Sequence, residues 1–175
     1  CVQRDKAPQL DLSIYYGENR KLSIDSCAIN AASEFIGHVN SIAFMPEDIE
    51  IVKGSASTRR QYLDILLSQL SPSYLQALKH YQKVLKSRNQ LMKRFRNDNI
   101  GTQLDSWDDL LIQHGSEVLR QRLELMPQLR EAVDHFTEEM FPPDSAIKVD
   151  YQANLFKREP ESVEEQFKIR LEESR

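Results

Sequence analysis

The most constraining feature of this sequence is a pair of long apolar stripes separated by a short polar break. From Leu75 to Phe95, apolar residues recur every three or four positions, and the same spacing runs from Leu104 to Met140. This spacing matches the 3.6-residue turn of an α-helix. Residues 98 to 102 lie between the stripes and include Asn99 and Gly101, which favour a turn. The pattern therefore predicts an antiparallel helical hairpin.

Capping residues mark where these helices begin. Ser71 and Pro72 place a hydroxyl at the cap and a proline at the first helical position, which predicts a helix from Pro72 to about Asn97. A shorter helix is predicted before it, over 57–70, with Ser55 or Ser57 as its cap. Three helices in succession therefore occupy the middle of the chain.

Two features of the C-terminal half shape its helices. Pro127 is expected to kink or split the long second stripe, because a proline inside a helix costs about 3 kcal/mol. Ser162 and Glu165 have the spacing of a capping box, which predicts one more helix after them.

Short alternating segments predict a small β-sheet. Apolar residues alternate with polar ones over 10–14 and 22–24, on either side of a turn at 16–19, which indicates a β-hairpin with one buried face. Further strands are predicted over 38–44 and 147–151. The predicted fold class is α+β: a small antiparallel sheet, made of the hairpin plus one or two further strands, with an antiparallel helical hairpin or arm and additional helices.

The charges are segregated along the chain. Residues 1–64 hold 7 Lys and Arg against 9 Asp and Glu, residues 65–97 hold 7 against 0, and residues 98–175 hold 9 against 18. Blocks of this kind indicate either internal pairing of a basic helix with an acidic one or an anionic partner.

The basic segment contains a candidate nucleic-acid contact. Lys79, Lys83 and Lys86 recur at intervals of four and three residues, so they share one helical face that could follow a phosphate backbone. The same face could instead be the outside of the hairpin, paired with acids on the facing helix. The candidate acids are Asp108, Asp109, Glu117 and Glu124.

Arg59 and Arg60 lie in the first turn of a predicted helix, where the helix dipole disfavours cations. One interpretation pairs Arg60 with Asp64, and Arg59 with Glu47 or Asp48. The other is that one or both arginines contact a phosphate, for which the guanidinium group and the helix N-terminus are both suited.

Pro46, Glu47 and Asp48 have the proline and early acids of a short helix start. Glu47 and Asp48 could orient a water or a metal-bound phosphate, or simply favour the helix N-terminus. His114 falls on the apolar stripe and is interpreted as a core histidine. No catalytic residue and no metal ligand is predicted.

Several classes of protein are excluded. The sequence has no Gly-rich phosphate loop, no G-x-S-x-G motif and no His pair at metal spacing. No apolar run approaches the roughly 20 residues of a membrane helix, and two cysteines are too few for a disulfide framework. These features predict a cytoplasmic protein with no membrane contact. Because the chain starts without Met and ends inside a helical pattern, we expect it to be part of a longer protein.

The run SIAFMPEDIEIVKGSASTRRQYLDILLSQLSPSYLQALKHYQKVLKSRN, residues 41–89, resembles RecF, the bacterial DNA replication and repair ATPase family related to the SMC-type ABC proteins. The resemblance implies that the chain is the middle of a RecF-like protein. Residues 1–45 and 145–175 would then belong to the sheet-containing ATPase head lobe, and 46–144 to the helical lobe II and arm. The phosphate loop, signature and Walker B motifs would lie outside the chain.

The resemblance also implies a function. A RecF-like protein would bind DNA in an ATP-dependent manner, at single-stranded gaps and at junctions of single-stranded with double-stranded DNA, and would help to load recombinase. It would use ATP and Mg as a weak DNA-dependent ATPase and homodimer, with RecR and RecO-like partners, whereas this part alone is expected to hold no cofactor and to be inactive. Pro46, Glu47 and Asp48 would sense the nucleotide state, although no glutamine stands there. Candidates for DNA or phosphate binding are Lys53, Arg59, Arg60, Lys79, Lys83 and Lys86. The alternative is a helical scaffold module with no nucleic-acid contact.

Overall fold

A computed structural model describes residues 10–17, 21–38, 40–95, 101–142, 147–153 and 162–173. The chain forms two compact units, Cys1–Leu75 and Gln76–Arg175. The observed architecture is α+β, as predicted, with a three-stranded antiparallel sheet and several helices.

The first unit contains the sheet. Its strands, β1 (Leu12–Tyr15), β2 (Lys21–Ile24) and β3 (Cys27–Ile29), lie in the order β1-β2-β3. The predicted hairpin is confirmed, since Leu12 pairs with Ile24 and Ile14 with Leu22. Leu22 is the buried residue of the central strand.

The third strand follows a tight turn that the sequence pattern did not indicate. Asp25 and Ser26 both have positive φ, 49° and 64°, which is the backbone of a two-residue turn whose twist matches that of the strands. The side chain of Asp25 accepts a hydrogen bond from the backbone N of Asp11 at 2.8 Å, and its own backbone N donates to the Asp11 carbonyl. Asp tolerates this conformation better than most residues, so glycine is not required.

Short helices connect the sheet to the longer ones. They are α1 (Ala32–Phe35), a 3-10 turn (Pro46–Ile49) and α2 (Glu50–Lys53). Two long helices follow, α3 (Ala56–Leu70) and α4 (Pro72–Arg94). Of the two predicted caps of α3, Ser55 is the one used, since its hydroxyl accepts from the backbone N of Thr58 at 3.4 Å. Ser71 caps α4 by accepting from the backbone N of Tyr74 at 3.1 Å.

The second unit contains the helical hairpin. Helix α4 is followed by α5 (Gly101–Met140) and α6 (Val163–Glu172). His80 lies against His114 and Arg88 binds Asp108, so residue number falls on α5 as it rises on α4. This is the antiparallel arrangement that the two stripes predict, while most of the predicted turn, residues 98–100, lies outside the described residues.

Pro127 was predicted to kink or split α5, and the split is wrong. The helix is continuous for 40 residues with Pro127 inside it. A proline removes one backbone donor and crowds the preceding turn, but packing of an apolar face can outweigh that cost. Met126, next to the proline, is buried.

The predicted strands over 38–44 and 147–151 are wrong for the residues that the structure describes there. Ser41 donates its backbone N–H to Oε1 of Gln69 at 2.8 Å, so this donor does not serve a sheet. The Val149 carbonyl accepts from Nε of Arg130 at 2.9 Å, and the Tyr151 hydroxyl accepts from Nη1 of Arg122 at 3.0 Å. The backbone groups of Ser41 and Val149 are therefore bound by side chains of helices instead of by a neighbouring strand.

Candidate nucleic-acid interface

The predicted site residues fall into two groups, one in each compact unit, and each group is described by itself. The first consists of Pro46, Glu47, Asp48, Lys53, Arg59 and Arg60, and the second of Lys79, Lys83 and Lys86.

In the first unit, the 3-10 turn is closed by one of its own acids. Pro46 occupies its first position, and Oδ2 of Asp48 accepts from the backbone N of Met45 at 2.8 Å. The carboxylate of Asp48 is thus engaged at a helix N-terminus, which is the simpler of its two interpretations. Glu47 is exposed beside it.

Arg59 and Arg60 differ in their surroundings. Nη1 of Arg59 donates to the carbonyl of Gly54 at 2.9 Å, which joins the start of α3 to the turn that ends α2. Arg60 is exposed and, within the described ranges, makes no hydrogen bond or ion pair. The interpretation that pairs Arg60 with Asp64 is wrong for these residues, because the Asp64 carboxylate accepts instead from the hydroxyl of Tyr74.

Lys53 ends α2, where a cation interacts favourably with the helix dipole. Gly54 follows in an extended conformation and donates its backbone N–H to the Glu50 carbonyl at 2.8 Å. A Cβ atom at Gly54 would collide with that carbonyl, so the turn requires glycine. Lys53 and Arg60 are therefore two exposed cations on either side of the turn at Gly54.

In the second unit, Lys79, Lys83 and Lys86 are exposed on α4. Within the described part of the chain, no ion pair joins Lys83 or Lys86 to a carboxylate. The predicted acid partner Glu117 binds Arg120 of its own helix instead. The three lysines therefore present an exposed positive face, and pairing with the facing helix does not account for Lys83 and Lys86.

A concavity extends this face along α4. Its volume is about 450 Å³, and its lining residues are Gln82, Leu85, Lys86, Asn89, Gln90 and Lys93. The lining contains no acid. Ammonium groups and side-chain amides are hydrogen-bond donors that suit phosphate and sugar oxygens.

One member of the basic block has a different position. Arg88 is 4% exposed, and its Nε lies 2.5 Å from Oδ1 of the buried Asp108. Its Nη1 also donates to the sulfur of Met92 at 3.0 Å. Residues 65–97, which include no acid, thus contribute a buried cation, Arg88, to the helical hairpin as well as exposed lysines.

The sequence carried a signal for this pair. Arg88 falls at the helical spacing between Leu85 and Met92, and Asp108 falls between Leu104 and Leu111. Both charges therefore lie on apolar stripes, where an unpaired ion would be unfavourable. Opposite charges on the stripes of two adjacent helices predict such a pair.

His114 lies partly buried on α5, with its ring centroid 4.9 Å from that of His80. Burial lowers the pKa of His114 below its ordinary value of 6.5, and repulsion from His80 lowers it further. Above pH 6.5 both the folded and unfolded states are neutral at this site. As the pH falls below 6.5, the unfolded state binds a proton that the folded state resists, so stability is lost.

We therefore expect the free energy of unfolding to fall between pH 7.5 and pH 5.5, and to fall less in the His114→Asn variant. Urea unfolding at the two pH values measures the difference. His135→Asn is the matched control, since His135 is exposed beside Glu139 on the same helix. An equal decline in the wild type and His114→Asn would contradict the prediction.

Helix α6 and the segment 147–153 lie along α5. Arg120 reaches Glu164 at 2.6 Å, and Arg130 binds Asp150. At Gly115, a Cβ atom would lie 2.8 Å from the ring of Phe167 and 3.1 Å from that of Tyr81. Glycine is thus needed where α4, α5 and α6 approach one another.

No helix within the described ranges has both the length and the apolar character needed to cross a membrane. No group of three or more His, Cys, Asp and Glu side chains among the described residues is arranged to hold a metal ion.

Known proteins similar to this chain were found both by sequence and by structure. No family model matches the chain. It is 38% identical over 129 residues to the DNA replication and repair protein RecF of Bacillus cytotoxicus, covering 74% of this chain and 34% of that protein. It is 32% identical over 158 residues to the protein of the same name of Streptococcus gordonii, covering 90% and 44%. The chain thus spans between about a third and under half of these relatives.

Solved structures agree with the sequence matches. The fold is similar to that of the recombination mediator protein RecF-ATPrS in the RecFOR pathway, with a TM-score of 0.82 and 26% identity, covering 93% of this chain and 45% of that one. The RecF-ATP structure of the same pathway gives a TM-score of 0.72 and 27% identity, covering 89% and 42%.

Proposed function

Because this chain corresponds in sequence and in fold to a segment of RecF, we propose that it is the DNA-contacting middle part of a RecF-like recombination and repair protein. The observation that supports this proposal most is the exposed, acid-free face of α4 that carries Lys79, Lys83 and Lys86. Exposed cations in a row attract a nucleic-acid backbone by releasing its counterions.

The DNA class follows from the resemblance. The whole protein binds single-stranded gaps and junctions of single-stranded with double-stranded DNA, and helps to load recombinase there. It acts as an ATP-dependent homodimer with RecR and RecO-like partners. The solved relatives' place in the RecFOR pathway supports the RecR and RecO-like partners, and their names support the use of ATP.

ATP and Mg belong to the rest of the protein in this proposal. The sequence has no Gly-rich phosphate loop, so the proposal assigns nucleotide binding to other residues of the whole protein. The chain's own contribution is positional: Pro46, Glu47 and Asp48 form a short turn that senses the nucleotide state, and Arg59 holds the start of α3 against Gly54. Arg60 and Lys53 are the exposed cations available to a phosphate at this turn.

The test replaces Lys79, Lys83 and Lys86 together by Glu in the full-length protein. We expect affinity for gapped DNA to fall by at least tenfold, and the slope of log affinity against log salt to flatten by up to about 3 units, since each lost phosphate contact removes roughly 0.7 to 0.9. Fluorescence anisotropy at several salt concentrations measures both quantities. An Arg60→Gln variant, measured in parallel, tests the phosphate contact at α3.

A matched control carries the same change of charge elsewhere. Lys21, Lys148 and Lys168 are exposed outside α4, and replacing all three by Glu should leave the affinity within about threefold of the wild type, because no contact with the nucleic-acid backbone is assigned to them. Equal losses in the two triple variants would mean that only net charge matters. Unchanged binding in the α4 variant would reject the DNA contact.

The second candidate is a helical scaffold with no direct contact to nucleic acid. The buried pair of Arg88 and Asp108 favours it, because this arginine of the basic segment joins α4 to α5 instead of facing a ligand. In that case the α4 substitutions would weaken binding of a protein partner and leave DNA affinity intact.

A further inference from the structure

Two histidines from different helices of the second unit lie side by side. His80 on α4 and His114 on α5 have ring centroids 4.9 Å apart, with 45° between the ring planes. They are far apart in sequence, and the antiparallel hairpin brings them together. Within the described ranges, neither imidazole takes part in a hydrogen bond or an ion pair. Their ring nitrogens are therefore available to bind a ligand.

The distance between the two rings matches that of two imidazoles bound to one metal ion. A histidine nitrogen lies about 2.0–2.1 Å from zinc, and the ring centroid lies roughly 1.1 Å beyond that nitrogen. For bond angles at the metal between about 90° and 109°, the two centroids are then roughly 4.5–5.2 Å apart. The 4.9 Å between the rings of His80 and His114 falls within this range.

The packing beside the histidine pair fixes the distance between the two helices. A Cβ atom at Gly115, which follows His114, would lie 3.1 Å from the ring of Tyr81, which follows His80. About two turns further along α4, Arg88 is joined to α5 by its buried ion pair. The two imidazoles are therefore held at this spacing before an ion binds, which lowers the entropic cost of binding.

The types of ligand indicate which ions the pair would select. Imidazole suits Zn²⁺, Cu²⁺ and Ni²⁺, whereas Mg²⁺ and Ca²⁺ are bound mainly by oxygen. Glu117 lies one turn from His114, but its carboxylate already accepts from Arg120 and from Nε2 of Gln121. His80 is exposed and His114 is partly buried, so an ion can approach from solvent.

We propose that His80 and His114 together bind one divalent transition-metal cation, of the class that includes Zn²⁺, and that this cation joins α4 to α5. Two protein ligands leave the other coordination positions to water, so the ion exchanges more readily than in a closed structural site with four protein ligands. The site does not depend on the DNA contact assigned to the lysines of α4.

Titration of the full-length protein with Zn²⁺, without nucleotide or chelator, tests this site. Isothermal titration calorimetry compares the wild type with His80→Gln and His114→Asn. Loss of a residue that only orients a metal ligand usually weakens binding by about 10- to 100-fold, so loss of a ligand itself should weaken this equivalent of Zn²⁺ by at least about tenfold. His135→Asn is the matched control and should bind as the wild type does, because His135 is exposed beside Glu139.

A second measurement counts the ligands directly. Electron spin echo envelope modulation distinguishes one imidazole from two on a bound Cu²⁺ ion. We expect two in the wild type and in His135→Asn, and one at most in His80→Gln and His114→Asn.

Each outcome supports or overturns the site. Weaker binding in both the His80 and the His114 variant, with His135→Asn unchanged, would support it. Equal binding by the wild type and His80→Gln would overturn it, as would a loss in His80→Gln alone, since one imidazole cannot join two helices. Equal losses in all three variants would also overturn it. Because His80 is exposed, His80→Gln keeps the test valid if His114→Asn does not fold.

Discussion

Replacing Asp108 with alanine is expected to lower the free energy of unfolding by about 3–5 kcal/mol, because it would leave the guanidinium of Arg88 buried without its charge partner. The side chains of Arg88 and Asp108 are 5% and 6% exposed, so water does not replace the lost interaction. Urea unfolding followed by circular dichroism measures the change. A loss below about 1 kcal/mol would mean that this pair behaves like a surface salt bridge.

A double variant separates the pair's net contribution from the cost of breaking it. Arg88→Met with Asp108→Leu replaces both ions by apolar groups of similar size, and buried ion pairs replaced in this way often lose little stability. We expect the double variant to be more stable than Asp108→Ala. If the stability loss of the double variant equals the sum of the losses in Arg88→Met and Asp108→Leu, the two residues act independently.

The second large effect is expected at Tyr74, which has no exposed surface. Tyr74→Ala should cost about 3–5 kcal/mol, the usual cost of removing a large aromatic side chain from a core. Its hydroxyl also donates to the carboxylate of Asp64, and that contact joins the first turn of α4 to α3. Thermal and urea unfolding should agree on the size of the loss.

The companion variant Tyr74→Phe keeps the ring and removes only the donor. We expect it to cost about 1–3 kcal/mol, because the carboxylate of Asp64 then loses a partner in a partly buried place. Tyr62 is 42% exposed on α3, and Tyr62→Phe is the matched control with little expected effect. Equal stability of Tyr74→Phe and the wild type would show that the hydrogen bond to Asp64 does not stabilise the fold.

Local signals predicted the helix starts well. Ser55, Ser71 and Ser162 were predicted as caps, and each accepts a backbone N–H at the start of its helix. A cap depends on residues within one turn of the chain, so a single sequence contains the information. The alternating pattern of β1 and β2 also predicted their pairing correctly, because the two strands are close together in sequence.

The wrong predictions depend on partners far away in sequence. The segments at 38–44 and 147–151 have the apolar alternation of strands, yet Gln69, Arg122 and Arg130 bind their polar groups instead. The positive φ angles of Asp25 and Ser26, and hence β3, were also missed, because neither residue is glycine. Nothing within a short window reveals which distant side chain will take a given backbone group.

The sequence predicted which types of residue form the candidate site, but not which of them are exposed. Counting charges by segment grouped Arg88 with Lys83 and Lys86, although Arg88 is buried and the two lysines are exposed. The difference between Arg59, which is bonded to Gly54, and Arg60, which is exposed, arises from the fold of the turn before α3. Contact of these residues with DNA stays a prediction until the lysine and Arg60 variants are measured.

The continuity of α5 has a mechanical consequence. Forty residues at about 1.5 Å each make a helix roughly 60 Å long. Pro127 has no amide hydrogen, so the carbonyl of Leu123 lacks its usual internal partner. Under load, we expect the helix to yield first at that turn, while Arg130 beyond it still binds Val149 and Asp150.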